Sequence, residues 1–224
     1  MNTPTAPAAV SLIYVGDPMC SWCYGFGVPL GQLLQRFPDI TMQLVLGGLR
    51  AYNTQVMDAT LKAKLRQAWA GVAERSGQPF ADALLEREDF IYDTEPACRA
   101  VVTVREHAPQ LALAMYHAIQ QAFYAHGRDV TKAAVLGEIW DEVHGRTKEA
   151  WGHINFLRDF DSEAMQQRTR DDFAQAQRWG VQGFPTLLAV AGGQAQVLTN
   201  GYTDADLLAE RLTYITANTP STSR

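Results

Sequence analysis

Two cysteines three positions apart, Cys20 and Cys23 in "DPMCSWCYGF", are the residues of this chain best suited to chemistry. Such a pair can be half of a metal site, a structural disulfide or a reactive dithiol. Zinc takes four ligands, and its structural sites usually supply a second close pair. Here the third cysteine, Cys98, stands alone, and the five histidines (His107, His117, His126, His144 and His153) are scattered singly over helical segments. Three sulfurs cannot supply the four thiolates of an iron–sulfur cluster. Three thiols also cannot all pair with one another, and a chain of 224 residues buries enough core to need no staple. A reactive dithiol is the favoured reading, with no metal expected.

Placement supports that reading. The segment "VSLIYVG", residues 10–16, is short, β-branched and aromatic, and it reads as a buried strand. Phe26, Leu30, Leu33, Leu34 and Phe37 then recur at helical spacing as far as Pro38. Cys20 therefore sits at the N-terminal end of a helix, where unpaired backbone N–H groups favour a thiolate over a thiol. Helix N-termini lower thiol pKa values from ~8.5 into roughly the 3.5 to 7.5 range. The expectation is a reactive, low-pKa Cys20 as nucleophile and a less exposed Cys23, one turn on, as the thiol that resolves the mixed disulfide.

The elements that must hold this pair follow from pattern. "ITMQLVLGG", residues 40–48, reads as a second strand, so strand, helix and strand form a βαβ unit with Pro29 inside the helix. From about residue 53 to 159 the periodicity is helical. Leu61, Leu65, Trp69 and Val72 make one stripe ending at Gly77, and Pro96 and Pro109 each open a helix. The helix after Pro109 buries Ala112, Tyr116, Ile119 and Phe123; the next carries Val135, Ile139 and Val143 and stops at Gly145. Residues 162–180 form a further helix with Met165, Thr169, Phe173 and Ala176 on one side. "FPTLLAVAGGQAQVLTNG" gives two strands around Gly192–Gly193, a dipeptide suited to a tight hairpin, and a closing helix starts near Asp204.

Composition narrows the class. Hydrophobic residues make up 47% and charged residues 19%, as in an ordinary globular protein. The formal charge is −5, with 19 Lys and Arg dispersed among 24 acids, which argues against nucleic-acid binding. No run of about 20 apolar residues could span a bilayer. The N-terminus lacks a basic n-region, so a cytoplasmic location is expected, without membrane association.

"DPMCSWCYGF" after a strand and "GVQGFPTLL" after a long helix, with the helical block between, resemble the DsbA-like branch of the thioredoxin superfamily. The resemblance is greatest to its cytoplasmic FrnE-like proteins, described as predicted disulfide isomerases. It implies an α/β thioredoxin fold (βαβ…αββα) with a large all-helical insertion: a discontinuous thioredoxin domain of residues 1–50 and 161–224, and an insertion of residues 51–160. It also implies a disulfide reductase or isomerase in which Cys20 attacks, Cys23 resolves, and Pro185 follows a cis peptide bond. The backbone of Phe184 would then pair with an extended substrate, beside Ser21 and Trp22. Trp22 reads equally as a solvent-facing substrate platform or as packing against the insertion.

Where DsbA has Pro-His between its cysteines this chain has Ser21-Trp22, which brings no cation and points to a less oxidising couple. Thioredoxins place an acid beneath the resolving thiol, and no residue is assigned that role here; Asp17, before a proline, reads as a turn residue. Cys98 reads as a buried small apolar group and Trp69, Trp140, Trp151 and Trp179 as core. No organic cofactor is implied, because the dithiol itself carries two electrons, although glutathione can act as co-substrate. The partners implied are protein or small-molecule thiols and disulfides; the oligomeric state is left open. The competing reading is a glutathione-dependent isomerase or transferase resembling 2-hydroxychromene-2-carboxylate isomerase and the kappa-class glutathione transferases, which usually attack with serine.

Overall fold

A computed structural model describes residues 10–145 and 151–218; the first nine residues, on which the reading of the N-terminus rests, lie outside it. Strand β1 (Ser11–Gly16), helix α1 (Ser21–Arg36) and strand β2 (Thr41–Leu46) form the first unit, with β1 and β2 parallel and in register from Ser11↔Thr41 to Gly16↔Leu46. Strand β1 alternates in the way a strand buried on both faces must. Leu12 and Tyr14 enter the large core, whereas Val15 joins Val45 and Ala176 in a smaller cluster on the opposite face.

Among the described residues six α-helices precede the next strand. They are α2 (Ala59–Ser76), α3 (Ala83–Glu86), α4 (Glu95–His107), α5 (Ala112–Gln120), α6 (Ala133–His144) and α7 (His153–Phe160). Local chemistry sets several of their ends. Asp58 caps α2 by accepting from the Leu61 N–H at 2.7 Å, and Gly77 ends it in the left-handed region at φ +71°, where a side chain would be strained. Pro96 sits in the first turn of α4. Pro109 starts a 3₁₀ turn (Pro109–Leu111) that leads into α5, and α5 loosens into a π-helical turn at Gln121–Ala125. The expectation of helix alone was incomplete here, because Val56 and Ile91 form an isolated antiparallel bridge.

Helix α8 (Glu163–Arg178), capped by Ser162, returns the chain to the sheet, followed by β3 (Thr186–Ala191), β4 (Gln194–Asn200) and α9 (Ala205–Asn218). Gly192 and Gly193 both adopt positive φ, +59° and +79°, as the hairpin between β3 and β4 demands. The sheet order is β2-β1-β3-β4, with β3 antiparallel to both neighbours. This is a thioredoxin fold carrying a large helical insertion. Helices α1 and α9 share one apolar core with the insertion, which contributes Trp69, Phe123 and Trp140. Trp179 departs from its expected core position and stays 39% exposed at the end of α8. Among the described residues no helix is long and apolar enough to cross a membrane.

Candidate active site

The site begins at the turn between β1 and α1. Asp17 is fully buried, and its carboxylate accepts from the Met19 N–H at 2.8 Å and the Leu49 N–H at 2.6 Å. The Cys98 thiol donates to the same carboxylate at 3.4 Å. Burial raises the Asp17 pKa despite these bonds. Asp17 is thus more than the turn residue its sequence context indicates: it ties the turn before α1 to the segment after β2. Cys98 is buried as expected but has a polar partner. The Met19 carbonyl accepts from Tyr124 Oη at 2.6 Å and from Tyr92 Oη, so the turn is fixed from both sides.

On that turn Cys20 is the N-cap of α1, in an extended conformation, with its N–H donating to the Asp17 carbonyl at 3.0 Å. Its sulfur lies 3.6 Å from the Phe184 carbonyl oxygen, to which it donates. The Phe184–Pro185 peptide bond is cis. Cys20 is 6% exposed and Cys23 0%, and all three cysteines are free thiols. The expected order of exposure of the pair holds, although both are more buried than a nucleophile at an open helix end.

The expected low pKa of Cys20 is not found. The hydrogen bond with the Cys23 side chain, then burial, then the charge of Cys23 push the Cys20 thiol well above its usual range, and the nearby Asp17 carboxylate adds to this. The first-turn N–H of Cys23 acts in the opposite direction and is outweighed. The magnitudes explain why. A helix terminus contributes about 0.3–2 kcal/mol, near one pKa unit, whereas desolvation of a buried group can reach several units. No cation stands between the cysteines to redress the balance, since the pair encloses Ser21 and Trp22.

Phe184 reaches the site because the chain opposite it has no side chain: a Cβ on Gly47 would lie 2.0 Å from the Phe184 ring. Trp22 is 39% exposed, and its ring centroid is 5.9 Å from that of Tyr202 in the segment before α9. Both rings line an open groove of about 550 Å³ together with Gly71, Glu74 and Arg75 of α2, so Trp22 is at once solvent-facing and packed. Ser21 opens α1 and is half-buried. Among the described residues no group of three or more His, Cys, Asp or Glu side chains is placed to hold a metal ion.

Sequence reasoning did not anticipate the tyrosines around the pair. The hydroxyls of Tyr14 and Tyr116 are 3.1 Å apart, and both side chains are fully buried. Tyr14 lies on β1 and Tyr116 on α5, 102 positions apart, a distance across which periodicity carries no information.

The arrangement has known counterparts. A family model described as "DSBA-like thioredoxin domain" matches residues 12–213. A solved structure of a "putative protein disulfide isomerase" from Nitrosomonas europaea is 32% identical, covers 92% of this chain and 96% of its own, and superposes with a TM-score of 0.83. The cytosolic disulfide reductase DsbM from Pseudomonas aeruginosa is 28% identical over 91% of this chain and 98% of its own, with a TM-score of 0.73. The same reductase solved with GSH gives 27% identity, the same coverage and a TM-score of 0.72. Among curated proteins none matches the chain. A family match over nearly all of the described residues, on a fold that sets a Cys-x-x-Cys pair beside a cis-proline, makes this chain a member of the DSBA-like thioredoxin domain family of thiol–disulfide oxidoreductases.

Proposed function

We propose that the protein is a cytoplasmic disulfide reductase or isomerase in which Cys20 attacks a substrate disulfide and Cys23 resolves the mixed disulfide. The observation that carries this is the free Cys20 thiol at the start of α1, held 3.6 Å from the carbonyl oxygen that precedes the cis-proline. A cysteine whose neighbours raise its pKa does not favour the reduced form as a stabilised thiolate would, which supports a reducing rather than strongly oxidising poise. Phe184 and Pro185, with Ser21 and Trp22, would contact the substrate, and no metal or organic cofactor is required. The similarity to a cytosolic reductase solved with GSH supports a cytoplasmic setting and glutathione as co-substrate. The division into a thioredoxin domain, residues 1–50 and 161–224, and a helical insertion, residues 51–160, belongs to the same reading, with the insertion selecting substrates.

Insulin reduction coupled to glutathione tests it. The wild-type protein is expected to be active, Cys20→Ser to lose activity at least a hundredfold, and Cys23→Ser to trap a mixed disulfide at Cys20. Wild-type activity that survives Cys23→Ser unchanged, measured with glutathione and an aromatic substrate, would favour a transferase instead.

A further inference from the structure

The groove beside the dithiol is joined to the reactive end of α1 by short, direct links. Trp22, which lies between the two cysteines, forms one of its walls. Tyr202 forms another, and the residue before it, Gly201, donates its N–H to the Pro185 carbonyl at 2.7 Å. The groove therefore adjoins the segment whose Phe184 carbonyl stands 3.6 Å from the Cys20 sulfur. Gly71, Glu74 and Arg75 of α2 close the remaining side. A substrate whose cysteine reaches Cys20 thus lays the residues flanking that cysteine against these groups.

The charges in the groove are not balanced. Arg75 is committed: it donates to Asp204 at 2.7 Å, and its guanidinium lies over the Tyr202 ring, 5.5 Å from the centroid. The Glu74 carboxylate is exposed and has no partner among the described residues. Of the three charged groups, Glu74 is left uncompensated, and it stands in the last turn of the 18-residue helix α2, where the partial negative charge of a helix C-terminus also favours a cation. Trp22 adds an indole that is 39% exposed, and indole faces bind cations better than phenol faces. Gly71, one turn before Glu74 and Arg75, has open space where a Cβ would stand, which leaves room along α2 for a long side chain. A flanking acid would instead meet an arginine already bonded and a carboxylate unopposed.

We infer that this groove selects disulfides whose cysteines are flanked by Lys or Arg, with the cation held between the Trp22 ring and the Glu74 carboxylate. This rests on the function proposed above and names its substrate class. Cys20 and Cys23 carry the chemistry; Glu74 and Trp22 set the preference.

The test uses the full-length, reduced protein in single turnovers with disulfide-linked dimers of acetyl-X-Cys-X-amide, where X is Lys, Gln or Glu. In each turnover the protein dithiol is oxidised to the Cys20–Cys23 disulfide and the peptide disulfide is reduced to two thiols. Acid quenching and mass spectrometry follow the peptide adduct at Cys20 and the released peptide thiol. Each rate constant is divided by that of the same peptide with dithiothreitol, which removes its intrinsic reactivity. The Lys peptide is expected to outpace the Glu peptide by about tenfold, with the Gln peptide between them. Glu74→Gln is expected to cut this ratio about threefold or more, Glu74→Lys to bring it to about unity or below, and Trp22→Leu to cut it about twofold or more. Glu88→Gln removes an equal charge from an exposed position next to Arg87, whose carbonyl accepts from Lys62 near the start of α2, about 18 Å along the helix from Glu74 at 1.5 Å per residue. It is expected to keep the wild-type ratio. Reduction of all three peptides at equal normalised rates, or a ratio that Glu74→Gln and Glu88→Gln lower alike, overturns the selection and leaves the reductase standing. A wild-type protein that reduces none of the peptides faster than Cys20→Ser does overturns the proposed function and the inference with it.

Discussion

At the scale of single residues the site is governed by burial. Asp17 shows this most directly, because its carboxyl is raised above the ordinary value even though backbone N–H groups hold it. The folded protein therefore binds more protons than the unfolded chain between about pH 4 and the raised value, and stability falls as pH rises through that window. Asp17→Asn lacks this linkage. The stability of the wild type relative to Asp17→Asn, taken from urea unfolding at a series of pH values, is expected to be greatest at low pH and to decline as pH rises; a difference independent of pH would show that the Asp17 carboxyl titrates alike in the folded and unfolded chains. Cys20 and Cys23 were legible in the sequence because their spacing is local and chemically specific, whereas the cis bond before Pro185 was expected from the family resemblance. The buried bond between Cys98 and Asp17 was not legible, since it joins residues 81 positions apart. Nor was the raised pKa of Cys20, since it follows from the bond with Cys23 and from burial, which spacing along the chain does not measure.

At the scale of elements, the ends were more legible than the connections. Gly77, Ser162 and the Gly192–Gly193 hairpin carry their conformations in their own chemistry, and each sits where its type requires. The π-helical turn at Gln121–Ala125 and the bridge between Val56 and Ile91 have no such local cause; packing imposes them. Gly47 belongs with these, because its lack of a side chain matters through Phe184, 137 positions away in the chain. Gly47→Ala would drive a Cβ into the Phe184 ring and shift the segment that carries the cis-proline. Overpacking of this kind costs about 1–3 kcal/mol. A lowered melting temperature together with slower adduct formation at Cys20 is expected; a variant that exchanges at the wild-type rate would show that Phe184 does not position the site.

At the scale of the whole molecule, the helical insertion and the sheet are fastened together. Arg105 of α4 grips Asp172 of α8 through both guanidinium nitrogens, at 2.7 and 2.9 Å, and also donates to the Leu44 carbonyl of β2 at 2.8 Å. Asp172 in turn accepts from the Leu46 N–H at 2.9 Å. Arg105→Ala strands a largely buried carboxylate and is expected to cost about 2 kcal/mol, read from denaturant midpoints. Because one apolar core runs through insertion and sheet alike, unfolding followed by the fluorescence of Trp69 and Trp140 and by far-UV circular dichroism should coincide. Separate transitions would mean that the insertion is an autonomous unit.

That shared core bears on how such a protein could be retargeted. A helical segment lifted from one relative and grafted into another would arrive with Trp69, Phe123 and Trp140 cut to a different interior, and the transplant would unsettle the very turn that carries the sulfurs. The exposed rim offers a safer route. Trp22, Arg75 and Tyr202 can be exchanged one at a time to repaint the surface beside Cys20 while the interior is left alone.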